Sequence, residues 1–176
     1  MPRPYQPSLL RLLHGVTALL VPLSWLTGLL VYSSHDGRFG RLPISLPGDW
    51  IDLHGTMGVL LWPIVLLFGL YALSAGRARL RQPANALALL APVLAVASGK
   101  LMDEDWLREG QLDQLVYSVH LLAWLLIALA VVLHVSAVLR RGGLPLARSM
   151  ASMELRSGDL PGHWLGQIQR SIKLGR

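Results

Sequence analysis

Histidine is the residue type that could carry chemistry in this sequence. The chain has six histidines: His14, His54, His120 and His134 lie in long apolar stretches, whereas His35 and His163 lie in polar segments. An ionisable side chain inside an apolar stretch is costly and commonly marks a functional site. Neutral imidazole binds iron and other transition metals. Because the chain has no cysteine, any redox chemistry must come through a metal or cofactor held by histidine.

Four apolar stretches must position these histidines. Residues 12–32, 53–73 and 115–139 each reach the length of about 20 residues that a helix needs to cross a bilayer. Residues 84–97 form a shorter stretch, which extends to Met102 if the side chain of Lys100 reaches the interface. Hydrophobic residues make up 53% of the chain and charged residues only 15%, which is typical of neither a soluble nor a disordered protein. We therefore predict an all-α integral membrane protein, a bundle of four transmembrane helices.

The basic residues indicate how this bundle is oriented. Twelve of the 16 Lys and Arg residues, from Arg3 to Arg176, lie in the N-terminal segment, the second connection or the C-terminal tail. The first and third connections hold most of the acidic residues, among them Glu104. Because cytoplasmic segments are enriched in Lys and Arg, we predict that both termini are cytoplasmic. Topology thus explains the net charge of +6, and nucleic acid is not an expected partner.

The four histidines match in pairs by their predicted depth. His14 and His134 lie near the cytoplasmic side, whereas His54 and His120 lie near the outer side. His120 and His134 are 14 residues apart on one helix, so they share nearly the same face at a separation of about 21 Å. This geometry favours two haems stacked through the bundle, each with two histidine ligands to its iron. Zinc and copper fit less well, because two histidines offer them too few ligands.

Small residues lie next to the predicted haem sites. Gly15 adjoins His14, and Gly58 follows His54 by about one helical turn. Gly28 lies on the face of His14, at the depth of the outer pair. A flat porphyrin requires a close approach of the backbone, so these glycines are candidate cofactor contacts. Packing between membrane helices is the alternative explanation for them.

Several segments together resemble the bacterial cytochrome b561 family, whose superfamily includes the b-type cytochrome subunits of nickel–iron hydrogenases. The similar segments, within about residues 7–143, are Arg11–His14, His54–Gly58, Ser98–Met102 and the run from His120 through His134 to Arg141. The resemblance implies a dihaem protein of the bacterial inner membrane that passes electrons between a reductant and the quinone pool. One member type resembles a superoxide:quinone oxidoreductase, so superoxide is a candidate electron donor.

The predicted outer surface offers two ways to recognise a donor. Arg38, Arg41 and Lys100 could steer an anion such as superoxide toward the outer histidine pair. The acidic third connection could instead bind a basic electron-donor protein. Two further hypotheses stay open: a haem-bearing anchor subunit that serves a partner dehydrogenase or hydrogenase, and a haem-free membrane interaction protein. The sequence does not indicate the oligomeric state.

The C-terminal tail is predicted to be separate from the bundle. The expected boundaries are 1–143 for the dihaem cytochrome b domain and 144–176 for a basic cytoplasmic tail. Residues 145–156 are predicted to form a short helix, which is broken near Gly158 and Pro161. Beyond it, one helical face carries Trp164, Leu165, Ile168 and Ile172, and the basic residues lie outside this stripe. This pattern is typical of an amphipathic helix on an anionic membrane surface; a disordered basic tail is the alternative.

Overall fold

The computed structural model describes residues 4–103 and 105–174, and the regular structure within these ranges is helical. Arg3, Glu104 and Arg176, which the charge analysis counts, lie outside the described residues. The helices are α1 (Ser8–Val31), α2 (Trp50–Leu73), α3 (Arg77–Leu80), α4 (Pro83–Leu101), α5 (Asp105–Arg108), α6 (Leu115–Met150) and α7 (Trp164–Leu174). Within the described ranges, α1, α2, α4 and α6 are long and apolar enough to cross a membrane. The prediction of an all-α protein with four membrane spans is confirmed.

Local sequence explains where the long helices begin and end. The side chain of Asp49 accepts a hydrogen bond from the Asp52 N–H at 3.1 Å and caps the start of α2. Helix α4 begins at Pro83, where the missing N–H costs nothing. Helix α1 continues as a π-helical turn, Tyr32–Asp36, and this turn ends at Gly37 with φ 66°. Asp49 and Pro83 thus set where α2 and α4 begin, and Gly37 sets where the helical turn after α1 ends.

The four long helices form an antiparallel bundle. Helix α1 packs mainly on α2, and α4 packs mainly on α6. Apolar side chains from all four helices form the centre of the bundle: Val21, Leu61, Val65, Ala91, Ile127 and Ala130. Leucines such as Leu19 and Leu122 are exposed on the outer surface, as expected for helices that are apolar all round and face lipid. We call the end with the start of α1 the termini end, and the end with connections 37–49 and 102–114 the loop end.

Helix α6 bends after its membrane-spanning part. Gly143 has φ 60° and ψ −158°, a conformation outside the helical region that glycine tolerates. The final residues of α6 therefore turn across the termini end of the bundle. There, Leu146 and Met150 line a cavity between the long helices.

Residues 151–156 are not α-helical, so the prediction of a helix reaching residue 156 is wrong. The guanidinium of Arg11 is buried and donates hydrogen bonds to the carbonyl oxygens of Ser152 and Glu154. An α-helix would use these carbonyls for its own backbone hydrogen bonds. The contact with α1 therefore favours an irregular chain at this point.

Farther along the tail, Asp159 and Trp164 contact the start of α1. The buried carboxylate of Asp159 accepts hydrogen bonds from the Ser8 backbone N–H at 2.6 Å, the Ser8 hydroxyl at 3.0 Å and the Tyr5 hydroxyl at 2.5 Å. The indole N–H of Trp164 donates to Ser8 Oγ at 2.8 Å. Burial alone raises the pKa of Asp159, but its hydrogen bonds outweigh this effect and hold the pKa below the ordinary value. These contacts join Asp159 and Trp164 to α1 and favour a folded tail over the alternative of a disordered one.

Candidate functional site

At the loop end, His54 of α2 and His120 of α6 face each other. Their ring centroids are 5.9 Å apart, and their planes are inclined by 73°. Nδ1 of His54 lies 3.1 Å from Thr27 Oγ1. Nδ1 of His120 lies 3.0 Å from both Ser98 Oγ and the Ala95 carbonyl oxygen. Because a carbonyl can only accept a hydrogen bond, this contact favours the His120 tautomer with its proton on Nδ1.

At the termini end, His14 of α1 and His134 of α6 form a second pair. Their ring centroids are 6.1 Å apart, and their planes are inclined by 41°. Nδ1 of His134 lies 3.1 Å from Asn85 Oδ1. Both rings line an apolar cavity of about 570 Å³ that continues to the termini end. This volume is within the range of about 300–1,000 Å³ that is usual for sites of small molecules and cofactors.

Each pair has nearly the spacing of two histidines that would hold one metal ion between them. Bonds from a metal to imidazole nitrogen are about 2.0–2.1 Å long, as for zinc, so two such rings on opposite sides of one ion would have centroids about 6.4 Å apart, within about 0.5 Å of both pairs. The observed values are 5.9 and 6.1 Å. No group of three or more His, Asp or Glu side chains able to hold a metal occurs among residues 4–103 and 105–174. Two ligands without a third fit a haem iron, whose other four ligands come from the porphyrin.

The hydrogen bonds at Nδ1 support the same interpretation. Histidines that bind metals usually engage their second ring nitrogen with a nearby oxygen, which fixes the ring orientation and the tautomer. Thr27, Ser98 and Asn85 provide side-chain oxygens for three of the four rings. Nε2 is then the nitrogen left for a metal. The sequence prediction of these pairs agrees with the distances, while iron binding by them stays a prediction.

Glycines lie directly against both rings of the loop-end pair. A Cβ on Gly28 would be 3.1 Å from Cε1 of His54, and a Cβ on Gly99 would be 3.1 Å from Cε1 of His120. Gly28 therefore has the close approach to the loop-end pair that its position in the sequence predicts. No atom lies within 4 Å of a Cβ built on Gly15 or Gly58, so these two glycines face open space.

Two tryptophans connect α1 to α6 between the histidine pairs. The rings of Trp25 and Trp124 stack with centroids 4.7 Å apart and planes inclined by 10°. Each indole N–H donates to the carbonyl oxygen of the other residue, at 3.1 and 3.0 Å. Trp124 lies one turn from His120 in the direction of His134. This contact fixes the spacing of α1 and α6, the helices that carry the termini-end pair.

The cations predicted to steer a donor have unequal surroundings. Arg38 Nε lies 2.8 Å from the buried carboxylate of Asp36, and this hydrogen bond raises the pKa of Arg38. Arg41 donates to the Asp36 carbonyl oxygen at 3.3 Å, and Lys100 is exposed at the end of α4. The hydroxyl of Tyr117 also donates to Asp36, at 2.6 Å. The charge of Arg38 is thus paired, which leaves Arg41 and Lys100 as the cations available to an approaching anion.

Sequence reasoning did not identify the residues that hold the imidazole rings. Asn85 stands out as a polar residue at the start of an apolar segment, and this position was the available signal. Ser98 and Gly99 lie in a segment that resembles the family, without an assigned role. Thr27 has no signal in one sequence, because a threonine inside a helix commonly bonds to its own backbone, as this one also does.

Four candidate spans with a histidine pair at each end are the features of a membrane electron-transfer protein with b-type haem. A family model described as prokaryotic cytochrome b561 matches residues 5–153 of the 176-residue chain. The protein therefore belongs to the prokaryotic cytochrome b561 family, whose members are membrane b-type cytochromes that transfer electrons. No curated protein and no solved structure matches the chain.

Proposed function

We propose that the protein is a dihaem cytochrome b that transfers electrons between an external one-electron donor and membrane quinone. In this proposal His14 and His134 would hold one haem iron, and His54 and His120 would hold the other. The observation that carries this proposal is the presence of two imidazole pairs with centroids 5.9 and 6.1 Å apart. When bound, a haem iron with two histidine ligands supplies a one-electron centre that has no open coordination position.

The protein's own residues orient the ligands and exclude water. Thr27, Ser98 and Asn85 hold the imidazoles through Nδ1, and such contacts also raise the basicity of the ligand nitrogen. Apolar side chains line the cavity beside the termini-end pair. They reduce the local dielectric constant and keep solvent from the redox centre, which are the means by which a protein sets a haem potential.

The proposed orientation places the loop end outside the inner membrane and both termini in the cytoplasm. Its support is the excess of Lys and Arg at the termini end and in the second connection. The donor then meets the His54 and His120 pair. Exposed Lys100 and Arg41 favour a small anion such as superoxide, whereas the acidic connection favours a basic protein.

We assign residues 1–143 to the haem-binding bundle and residues 144–176 to a cytoplasmic tail. The change of direction at Gly143 supports this boundary. On α7, Leu165 and Ile172 are exposed, and Lys173 is exposed nearby. Apolar and basic side chains on one surface helix favour contact with anionic lipid headgroups.

Rapid mixing of the purified protein with donors and quinones tests this function. Superoxide or another outer donor should reduce the haem iron, which is seen as a change in the haem absorption bands. An oxidised quinone should then reverse this change. A protein that exchanges electrons with quinol but with no small donor supports the anchor-subunit hypothesis instead. Failure to exchange electrons with any quinone contradicts the proposed acceptor. The His54→Ala/His120→Ala variant, which lacks the loop-end ligands, is the control for reaction at that site.

A further inference from the structure

Two arginines lie at the mouth of the termini-end cavity. Arg79 of α3 and Arg141 of α6 are exposed and line the same cavity as His14 and His134. Arg79 donates a hydrogen bond to the side-chain oxygen of Gln6 at 3.1 Å, and Arg141 donates to that of Gln82. Both partners are neutral amides, so these contacts compensate neither positive charge.

Carboxylates do not pair with these arginines in the described structure. Among residues 4–103 and 105–174, the ion pairs join Arg38 to Asp36, and Arg108 to Asp49 and Asp52. Asp159, the buried carboxylate at the termini end, is held by Ser8 and Tyr5 instead. The cavity mouth therefore presents two positive charges that lack a negative partner among the residues that the structure describes.

The spacing along α6 relates this mouth to the histidine pair. Arg141 follows His134 by seven residues of regular helix. Seven residues make two turns to within about 20° and a rise of about 10.5 Å. The side chains of His134 and Arg141 therefore lie on nearly the same face of α6, with Arg141 two turns nearer the termini end.

We propose that Arg79 and Arg141 bind the two propionate carboxylates of the termini-end haem. This inference rests on the proposed function, because it needs a haem between His14 and His134. The edge of haem b carries two carboxylates, and the cavity mouth carries two guanidiniums with neutral partners. Guanidinium is the side-chain group best suited to bind a carboxylate through two hydrogen bonds. The two arginines would hold the carboxylate edge of the porphyrin, and the apolar side chains of the cavity would surround its apolar body.

The alternative explanation is topology alone, since cations collect at the cytoplasmic ends of membrane helices. The chain provides matched controls for this alternative. Arg77 and Arg140 are exposed cations on the same two helices, and neither lines the cavity. If the arginines have only a topological role, substitution of any of the four should affect the termini-end haem equally. If Arg79 and Arg141 bind the propionates, only their substitution should affect it.

Potentiometric titration of the haem absorption bands separates these explanations. The termini-end component is the one that disappears in the His14→Ala variant. In Arg79→Gln and Arg141→Gln, loss of a cation should favour the ferric form of this haem about tenfold, which equals a fall in potential of about 59 mV for one electron. Arg79→Lys and Arg141→Lys keep the charge and should retain most of the potential. The potential of the loop-end haem should not change in these four variants. Arg77→Gln and Arg140→Gln should leave the potentials of both haems unchanged.

Each outcome has a distinct meaning. Selective loss of the termini-end haem in the two Gln variants, with retention in the Lys variants, supports the proposal in the same way as the fall in potential. Equal behaviour of cavity and control arginines, or of Gln and Lys variants, overturns it. Wild-type protein without bound haem would contradict the proposed function itself, so the two failures are distinguishable.

Discussion

Asp159→Ala tests the contact that joins the tail to α1. The Asp159 carboxylate accepts from the Ser8 N–H, a donor in the first turn of α1 that has no partner within the helix. Loss of a helix cap costs about 0.5–2 kcal/mol, and a hydrogen bond to a charged group contributes about 1.5–3 kcal/mol. Because the two values describe overlapping contacts, we expect a total loss of about 2–3 kcal/mol.

Thermal unfolding in detergent, followed by the helical circular dichroism signal, measures this loss. For a chain of this size, 1 kcal/mol corresponds to about 2–4 °C, so the unfolding midpoint of Asp159→Ala should fall by about 4–12 °C. Asp159→Asn keeps the shape of the side chain but removes its charge. Its unfolding midpoint should lie between those of Asp159→Ala and the wild type. Asp113→Asn changes an exposed carboxylate at the loop end and should leave the midpoint unaltered.

The contribution of Asp159 to the stability of the fold should also decrease at low pH. The pKa of Asp159 in the folded protein lies below its ordinary value, which is about 3.9 in an unfolded chain. Its contribution is therefore complete above the unfolded pKa and is lost as pH falls through the folded pKa. The difference between wild type and Asp159→Ala should be constant at about pH 6–8 and decline below about pH 4. A midpoint at pH 7 that changes no more than in Asp113→Asn refutes the docking of the tail on α1.

Three further substitutions test separate parts of the account. Asn85→Leu removes the partner of His134 Nδ1 and should weaken haem binding at the termini end about 10–100-fold in haem-transfer assays; unchanged affinity contradicts its role. In Gly28→Leu, the added Cβ alone would lie 3.1 Å from the ring of His54, and the rest of the leucine side chain needs further space. The loop-end haem band should therefore be lost from the visible spectrum. Retention of that band shows that the ring can move away. Arg108→Ala breaks exposed ion pairs at the start of α2 and should leave the unfolding midpoint within about 2 °C of the wild type; a larger fall contradicts a weak surface contact.

The helices and the histidine pairs were predictable because the membrane simplifies the problem. A span must be a continuous apolar helix, and the regular rise and rotation of α6 fix the relation of His120 to His134. Alternating spans then determine which histidines share a depth. The pairs could therefore be proposed without knowledge of any side-chain contact.

The tail and the ring-holding oxygens depend on contacts between distant parts of the chain. Asp159 caps a helix that begins 151 residues earlier, and no local pattern signals this partner. Arg11 was counted as a topological cation, yet its guanidinium is buried against the tail. Thr27 of α1 contacts His54 of α2, a different helix. Such contacts follow from how the helices pack, which single-sequence periodicity does not specify.

Counting haems in the purified protein tests the central claim most directly. A pyridine haemochrome spectrum combined with a protein assay gives the number of b-type haems per chain. We predict two haems in the wild type and one each in the His54→Ala/His120→Ala and His14→Ala/His134→Ala variants. A wild-type ratio of one or zero, or two haems retained after removal of either pair, contradicts the assignment of these histidines as the haem ligands.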